Sequence, residues 1–414
     1  MALMDVYNHL PVFAQNIAFS AAGARIQGTR YGAGFHRMLE EFESHEGWSR
    51  DQLCEWRDGR LRELIDHAYR TVPYYRSVMD EGGIDPASIK SADDLKRLPL
   101  LTKDMVKADP ASFVSSEAKS MNVLHVHTSG TTGSGFRFDS TVECQQAQFA
   151  CFWRYYRQHG LSLDTWQVQF SSRNAVPQRA SKPPFWRIDK PGKRYYMSAF
   201  HESPTNLKHY HDVIAEKRFE WISGYPSLMT LLAQWMNERD LRFDFVKAVT
   251  CGAENLLEHQ ADAMERAFGV RPVQTYGQTE NVAIFSQQPD GRILVDEDFS
   301  AVEFLPLEDA AGGGGRLSWA PACSTTRRRS SATSPKTSRR SAIRPAREGR
   351  FCRSTGGGKT TLCCRTAQKS EDWDGSSRTL PISKKPRSIS GRTSPLCSAS
   401  SESRICASRT RRLS

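Results

Sequence analysis

From residue 121 onward, short runs of strand-forming residues alternate with amphipathic helices, and that alternation restricts the chain to a layered α/β domain. The strand candidates are Val123–His127, Phe136–Ser140, Trp166–Phe170, Phe219–Ser223, Val246–Thr250, Val273–Tyr276 and Arg292–Val295. Helix candidates run over Val142–Gln158, through Leu228, Leu231, Leu232, Trp235 and Met236, and over Leu256–Phe268, which stops at Gly269. Residues 1–120 read as helices with loops. Leu61, Leu64, Ile65, Ala68 and Val72 recur at three- and four-residue spacing and form an apolar helix face that ends before Pro73.

Two motifs sit where strands give way to loops, the place where open α/β sheets bind ligands. The first is His127-Thr128-Ser129-Gly130-Thr131-Thr132-Gly133-Ser134-Gly135. Its glycines let the backbone curl around an anion, while N–H groups and hydroxyls face phosphate oxygens. The same composition also suits an ordinary hairpin turn. It is not a Walker A loop, because it joins strand to strand and no Gly-Lys-Thr follows to open a helix. The second motif is Tyr276-Gly277-Gln278-Thr279-Glu280. Here an aromatic face can stack on a purine, a hydroxyl can reach a phosphate and a carboxylate can hold Mg²⁺. Between them, Val246–Thr250 empties into Cys251-Gly252-Ala253-Glu254, whose small residues would let a flat base lie against the main chain. Glu254 has a second reading, as a cap for the helix starting near Leu256.

In this order the motifs resemble the TSGTTG loop and later YGxTE of the adenylate-forming (AMP-binding) superfamily. Within it the resemblance is to the group of phenylacetate–CoA ligase, coenzyme F390 synthetase and capsular-polysaccharide CapK-like proteins. Thr71-Val72-Pro73-Tyr74-Tyr75-Arg76, Leu98-Pro99-Leu100-Leu101-Thr102-Lys103 and Ser223-Gly224-Tyr225-Pro226-Ser227 support it. The resemblance implies a large N-terminal adenylation domain, with a helical part at 1–120 and an ATP-binding α/β part at 121–311. It implies a ligase that converts a small-molecule carboxylate and ATP to an acyl-adenylate, then passes the acyl group to a thiol such as coenzyme A. Thr128, Ser129, Gly130, Thr131, Thr132 and Gly133 would hold phosphate. Gly252, Ala253, Glu254, Tyr276 and Gly277 would hold the adenine side, Thr279 the α-phosphate and Glu280 the Mg²⁺. Relatives commonly dimerise, which extends to this chain by analogy only.

Charge separates the last quarter from the rest. The formal net charge is +11, but Arg316 to Ser414 holds 18 Arg and 5 Lys against 5 acidic residues, a net of +18 that leaves −7 for 1–315. That segment lacks Val, Tyr, His, Asn and Met altogether, while Ser and Arg supply 39 of its 99 residues. So little apolar side chain cannot offset chain entropy, and 312–414 is expected to be a disordered basic tail. Its composition is that of a GC-rich coding sequence read out of frame. Shifting the frame regenerates stretches like the family's ribose-binding Asp segment and its hinge into the small C-terminal domain. A frameshift in or near Gly312–Gly315 is therefore expected, with the small domain missing and turnover impaired. Gly356-Gly357-Gly358-Lys359-Thr360 imitates a Walker motif, but Arg353 stands where its first glycine belongs. Lys359 takes no catalytic role.

Two other functions compete with acid activation. One is a CapK-like protein of polysaccharide assembly that is not a ligase. The other is a nucleic-acid binder driven by the tail, disfavoured because few aromatic residues, among them Phe351 and Trp373, interleave with its arginines. Nucleic acid is thus not an expected partner. His125 and His127 alternate on a strand without a third metal ligand nearby. Pro183-Pro184-Phe185-Trp186-Arg187 and Tyr195-Tyr196-Met197-Ser198 read either as acyl-pocket lining or as a packed loop. No run reaches the length of a membrane span, no signal-peptide pattern opens the chain, and Cys54, Cys144, Cys151 and Cys251 lack disulfide or zinc spacing. Cytoplasmic residence is the expectation.

Overall fold

The structure, a computed structural model, describes residues 3–127 and 137–303 together with the backbone of 316–317. Its centre is an eight-stranded sheet in the order β11-β10-β9-β8-β7-β4-β6-β5. These strands are β4 (Gln167–Ser171), β5 (Trp186–Asp189), β6 (Arg194–Ser198), β7 (Trp221–Gly224), β8 (Ala248–Cys251), β9 (Val273–Gly277), β10 (Ile284–Gln287) and β11 (Ile293–Val295). The run β6-β4-β7-β8-β9 is parallel, so Ser198, Ser171, Gly224, Cys251 and Gly277 all end at one edge. At the two margins β5, β10 and β11 pair antiparallel.

Helices cover both faces. On one side α8 (Pro204–Lys217), α9 (Pro226–Asn237) and α10 (Glu258–Phe268) enclose a core with Val168, Phe170, Met197, Ile222 and Val249 from the strands. On the other, α3 (Ala33–Ser44) and α7 (Val142–Gln158) pack over Trp221, Ala248 and Ile284. Neighbouring residues Trp221 and Ile222 thus serve opposite cores, as strand alternation requires. A third core gathers the predicted stripe, Leu61, Leu64, Ile65 and Ala68 of α4 (Arg50–Thr71) and Val72 after it, with Tyr75 and Met79 of α5 (Pro73–Glu81). Ser49 and Gln52 form a reciprocal capping box that starts α4, and Pro73 ends it by opening α5.

Every strand and helix expected in 121–300 is present, with ends shifted by at most two residues. α7 matches its expected limits, and Gly269 closes α10 at φ +80°, a left-handed geometry that suits glycine. The reading of Pro183–Arg187 and Tyr195–Ser198 as loop is corrected: Trp186–Asp189 and Arg194–Ser198 form the hairpin that ends the sheet. Strand β5 would be a bare edge, but α2 (Val12–Arg30) lies along it. Asn16 Oδ1 accepts the Ile188 N–H at 3.1 Å, and the Ser20 hydroxyl donates to the Ile188 carbonyl at 2.9 Å. Also unforeseen were α8 and β10.

Beyond 312 the described backbone is Arg316–Leu317, which pairs antiparallel with β1 (Leu101–Thr102). The remainder of the Ser- and Arg-rich segment lies outside the described residues. No described helix is long and apolar enough to cross a membrane.

Candidate functional site

Because β7, β8 and β9 run parallel, the segments leaving them are brought side by side. Cys251 pairs with Gln274, and a Cβ added at Gly252 would lie 3.7 Å from Thr275 Oγ1. Gly252-Ala253-Glu254 therefore adjoins the strand that delivers Tyr276. Ala253 holds φ at +67°, a conformation that costs a non-glycine residue energy and persists only where its surroundings enforce it. Gly224, at the end of the neighbouring strand, is required by contact as well as by φ (+143°), since any Cβ there would overlap the Phe170 carbonyl.

Glu254 is assigned by the structure to a job that neither sequence reading named. Its Oε2 accepts the Ser227 N–H at 3.1 Å, within the first turn of α9. A carboxylate there satisfies a free helix amide and complements the helix dipole. The start of α10 is capped instead by Gln260, whose side chain accepts the Leu257 N–H at 3.0 Å. Glu254 thus ties the turn after β8 to the helix after β7, rather than capping the helix that follows it.

The Tyr276–Glu280 segment bends sharply after β9. Asn281 adopts φ +57° and its N–H returns to the Gln278 carbonyl at 3.1 Å. Tyr276 is half-buried, edge-on to Phe285 at 5.1 Å, and hydrogen-bonded through its hydroxyl to the Gln278 side chain. Gly277 and Thr279 are exposed, and Glu280 is half-buried with a partner of its own. Two acceptors in this turn, Gln278 Oε1 and Asn281 Oδ1, are buried with no hydrogen-bond partner among the described residues. Unsatisfied buried carbonyls are costly, so the bend is shaped for a donor that no described residue supplies.

Helix α7 joins this bend to the glycine-rich motif. Strand β2 (Val123–His127) pairs with β3 (Arg137–Thr141) in a hairpin, and β3 runs straight into α7 through the Thr141 cap on Cys144. Gln148 then donates to the Gln278 carbonyl at 2.9 Å, and Asn281 Nδ2 contacts Cys144 Sγ at 3.5 Å. Phe152 lies directly beneath Gly277, where a Cβ would meet it at 2.8 Å. The expected phosphate residues, Thr128, Ser129, Gly130, Thr131, Thr132 and Gly133, lie outside the described residues. Of the histidine pair, His125 bonds across the hairpin to Asp139 at 2.7 Å, and no described group of three or more His, Cys, Asp and Glu side chains could hold a metal.

Further along α7 lies a buried ion cluster that the sequence reading missed. Arg154 of α7 pairs with Asp296 at 2.8 Å and with Asp298, which also bonds His45 at 2.9 Å. Burial pushes the Asp296 carboxyl up to about 6; burial alone would raise Asp298 too, but His45 and Arg154 hold it below the usual carboxylate range. These groups clamp α7, the end of α3 and the segment after β11 to one another.

Comparison with curated proteins bears on this arrangement. Protein CapK of Staphylococcus aureus is 22% identical over 292 residues, 70% of this chain and 63% of that protein. Phenylacetate-coenzyme A ligase of Thermus thermophilus is 35% identical over 85 residues, 20% of this chain, and its Escherichia coli counterpart 34% over 84. This chain is thus similar in sequence to CapK and, over a shorter segment, to phenylacetate-coenzyme A ligases. It spans under two thirds of these relatives' length, and no family model matches it. A solved structure of 2-hydroxyisobutyryl-CoA ligase in complex with 2-HIB-AMP and CoA aligns with a TM-score of 0.48 and 17% identity. That alignment covers 63% of this chain and 57% of that one.

Proposed function

We propose that this chain carries the nucleotide half of an acid–thiol ligase, activating a carboxylate with ATP to an acyl-adenylate for transfer to a thiol such as coenzyme A. The observation that supports this best is the meeting of Gly252–Glu254 and Tyr276–Glu280 at the carboxyl edge of a parallel sheet, the usual ligand edge of such sheets. On this reading Tyr276, Gly277 and the strained turn at Ala253 form the adenine side, with Thr279 exposed toward the α-phosphate. The unpartnered Gln278 and Asn281 carbonyls suit donors such as an adenine amino group or a ribose hydroxyl. Mg²⁺ needs few protein ligands when phosphates share its shell, so Glu280 is sufficient as its protein carboxylate. Thr128–Gly133 would supply amide and hydroxyl donors to the phosphates, an electrostatic role that grows with charge in the transition state.

The same reading makes this 414-residue form a poor catalyst. The hinge and lysine that relatives use for adenylation have no counterpart in 312–414 as written, and the frameshift near Gly312–Gly315 accounts for their absence. The test is carboxylate-dependent ATP–pyrophosphate exchange, run on this protein and on a version with the frame restored. Exchange is expected with the restored frame and little or none without it. Robust exchange by the 414-residue protein would overturn the impairment. No exchange with the restored frame across a broad acid panel would favour the second reading, a CapK-like role in polysaccharide assembly without ligase chemistry. That alternative draws on CapK matching far more of this chain than the ligases do.

A further inference from the structure

A second concave site lies at the edge of the sheet opposite the nucleotide bend. Trp166 immediately precedes β4, Tyr195 is the second residue of β6, and Phe219 and Glu220 immediately precede β7. All four therefore stand at the amino ends of parallel strands, a strand length away from Gly224, Cys251 and Gly277. With Ser162 and Lys217 they line a cavity of about 540 Å³, within the size range of small-molecule sites.

The floor of this cavity is aromatic. Tyr195 sits edge-on to both neighbours, with ring centroids 5.9 Å from Trp166 and 4.8 Å from Phe219. Phe219 is buried beneath, whereas Trp166 stays 36% exposed, although tryptophan is highly buried on average. The lip is shaped by Arg218, which ends α8 at φ +50°, a left-handed conformation that costs a non-glycine residue energy. That turn sends Phe219 into the core and leaves Lys217 and Arg218 at the surface.

The rim is charged but balanced. Lys193 pairs with Asp164 at 3.5 Å, Lys217 with Glu216 at 2.8 Å, Lys247 with Glu220 at 2.8 Å and Arg218 with Asp244 at 3.3 Å. Each of these four cations is answered by a carboxylate, so the rim offers no net charge to an ionic ligand. Hydrogen-bonding capacity remains, because one ion pair exhausts neither an ammonium nor a carboxylate. The Ser162 and Thr165 hydroxyls, 3.2 Å apart, add two groups able to donate or accept. Donors and acceptors thus surround an apolar plate.

A ligand matching this pattern is uncharged, has a flat apolar face and carries hydroxyls around its edge. A purely apolar ring would strip water from the rim without replacing its hydrogen bonds. The weakly positive C–H face of a sugar ring suits the negative face of an indole, and its hydroxyls both donate and accept. We propose that this amino-edge cavity binds a saccharide, with Trp166 as the stacking platform and Asp164, Lys217 and Glu220 contacting the sugar hydroxyls. Binding here is separate from acid activation at the carboxyl edge.

The test is saturation-transfer-difference NMR on the full 414-residue protein with methyl β-glucoside, methyl β-galactoside, methyl α-mannoside and methyl N-acetyl-β-glucosaminide. At least one is expected to receive saturation at its ring C–H protons. Trp166→Ala should weaken that binding about tenfold, the loss of one aromatic contact. Asp164→Ala, altering an exposed side chain, should weaken it about threefold and serves as the readout should the first variant fail to fold. No saturation of any glycoside overturns the proposal, as does binding unchanged in both variants, which would place the sugar elsewhere. Stronger, Trp166-dependent saturation of the planar acid p-toluate would reassign the platform and overturn it as well. Excess ATP is expected to leave the glycoside signal unchanged; displacement would put the sugar at the carboxyl edge and sink the separate site. Failure of glycoside binding leaves the adenylation reading standing, since that reading is measured by pyrophosphate exchange.

Discussion

The two faces of the central sheet do opposite work. Toward α8, α9 and α10 the strands present Val168, Phe170, Met197, Ile222 and Val249, closed to solvent and continuous with the helices above. Toward α2 and α7 the same strands present Gln167, Gln169, Arg194, Tyr196 and Ser223, of which Gln169 Oε1 and Arg194 Nε have no hydrogen-bond partner among the described residues. Burial stabilises through the first face, while unpaired polar atoms on the second give up stability. Conservative changes should therefore have unequal consequences on residues only one position apart.

The largest effect is expected at Phe170, fully buried in the apolar face. Phe170→Ala should cost about 4 kcal/mol, seen as a lower midpoint in urea with little change in slope. Arg154→Met should come next, at about 3 kcal/mol, since it strands Asp296 and Asp298 in a buried setting without their cation. A loss below about 1 kcal/mol would mean that water reaches this cluster.

Glu202 offers a change of opposite sign. Both its oxygens are buried without partners among the described residues, and burial pushes its carboxyl up to about 8 from 4.5. A raised carboxyl leaves its stability contribution intact below about pH 4.5 and removes it as pH rises through 8. Glu202→Gln should consequently match the unaltered protein near pH 4 and exceed it by on the order of 2 kcal/mol near pH 9, in urea titrations at both pH values. Equal stability at pH 9 would show that the carboxyl is solvated. The smallest change is expected at Gln169, whose Oε1 has no partner. Gln169→Leu should stay within about 0.5 kcal/mol of neutral or stabilise slightly, in contrast to its neighbour Phe170. A loss approaching that of Phe170→Ala would erase the distinction between the faces.

What the sequence disclosed follows from range. β8 and β9 are short apolar runs that end in Gly252 and Gly277, and α7 carries its own cap at Thr141, so local pattern sufficed for them. The β5–β6 hairpin escaped because Arg194 and Tyr196 break the apolar alternation that marks a strand, and what justifies them is α2, more than 160 residues earlier. Glu254 could be recognised as a capping carboxylate, yet its true helix begins 28 residues upstream, beyond any local rule. The gathering of Trp166, Tyr195 and Phe219 has no sequence signature whatever. Position along the sheet, and not motif, creates it.

One measurement goes to the root of the account. Photolabelling with 8-azido-ATP, competed by excess ATP and mapped by mass spectrometry, reports which residues lie against adenine. Competed label within 251–257 or 273–281 is the predicted result. Competed label confined to other peptides, or none at all at millimolar nucleotide, would contradict the assignment of the carboxyl edge as the nucleotide site.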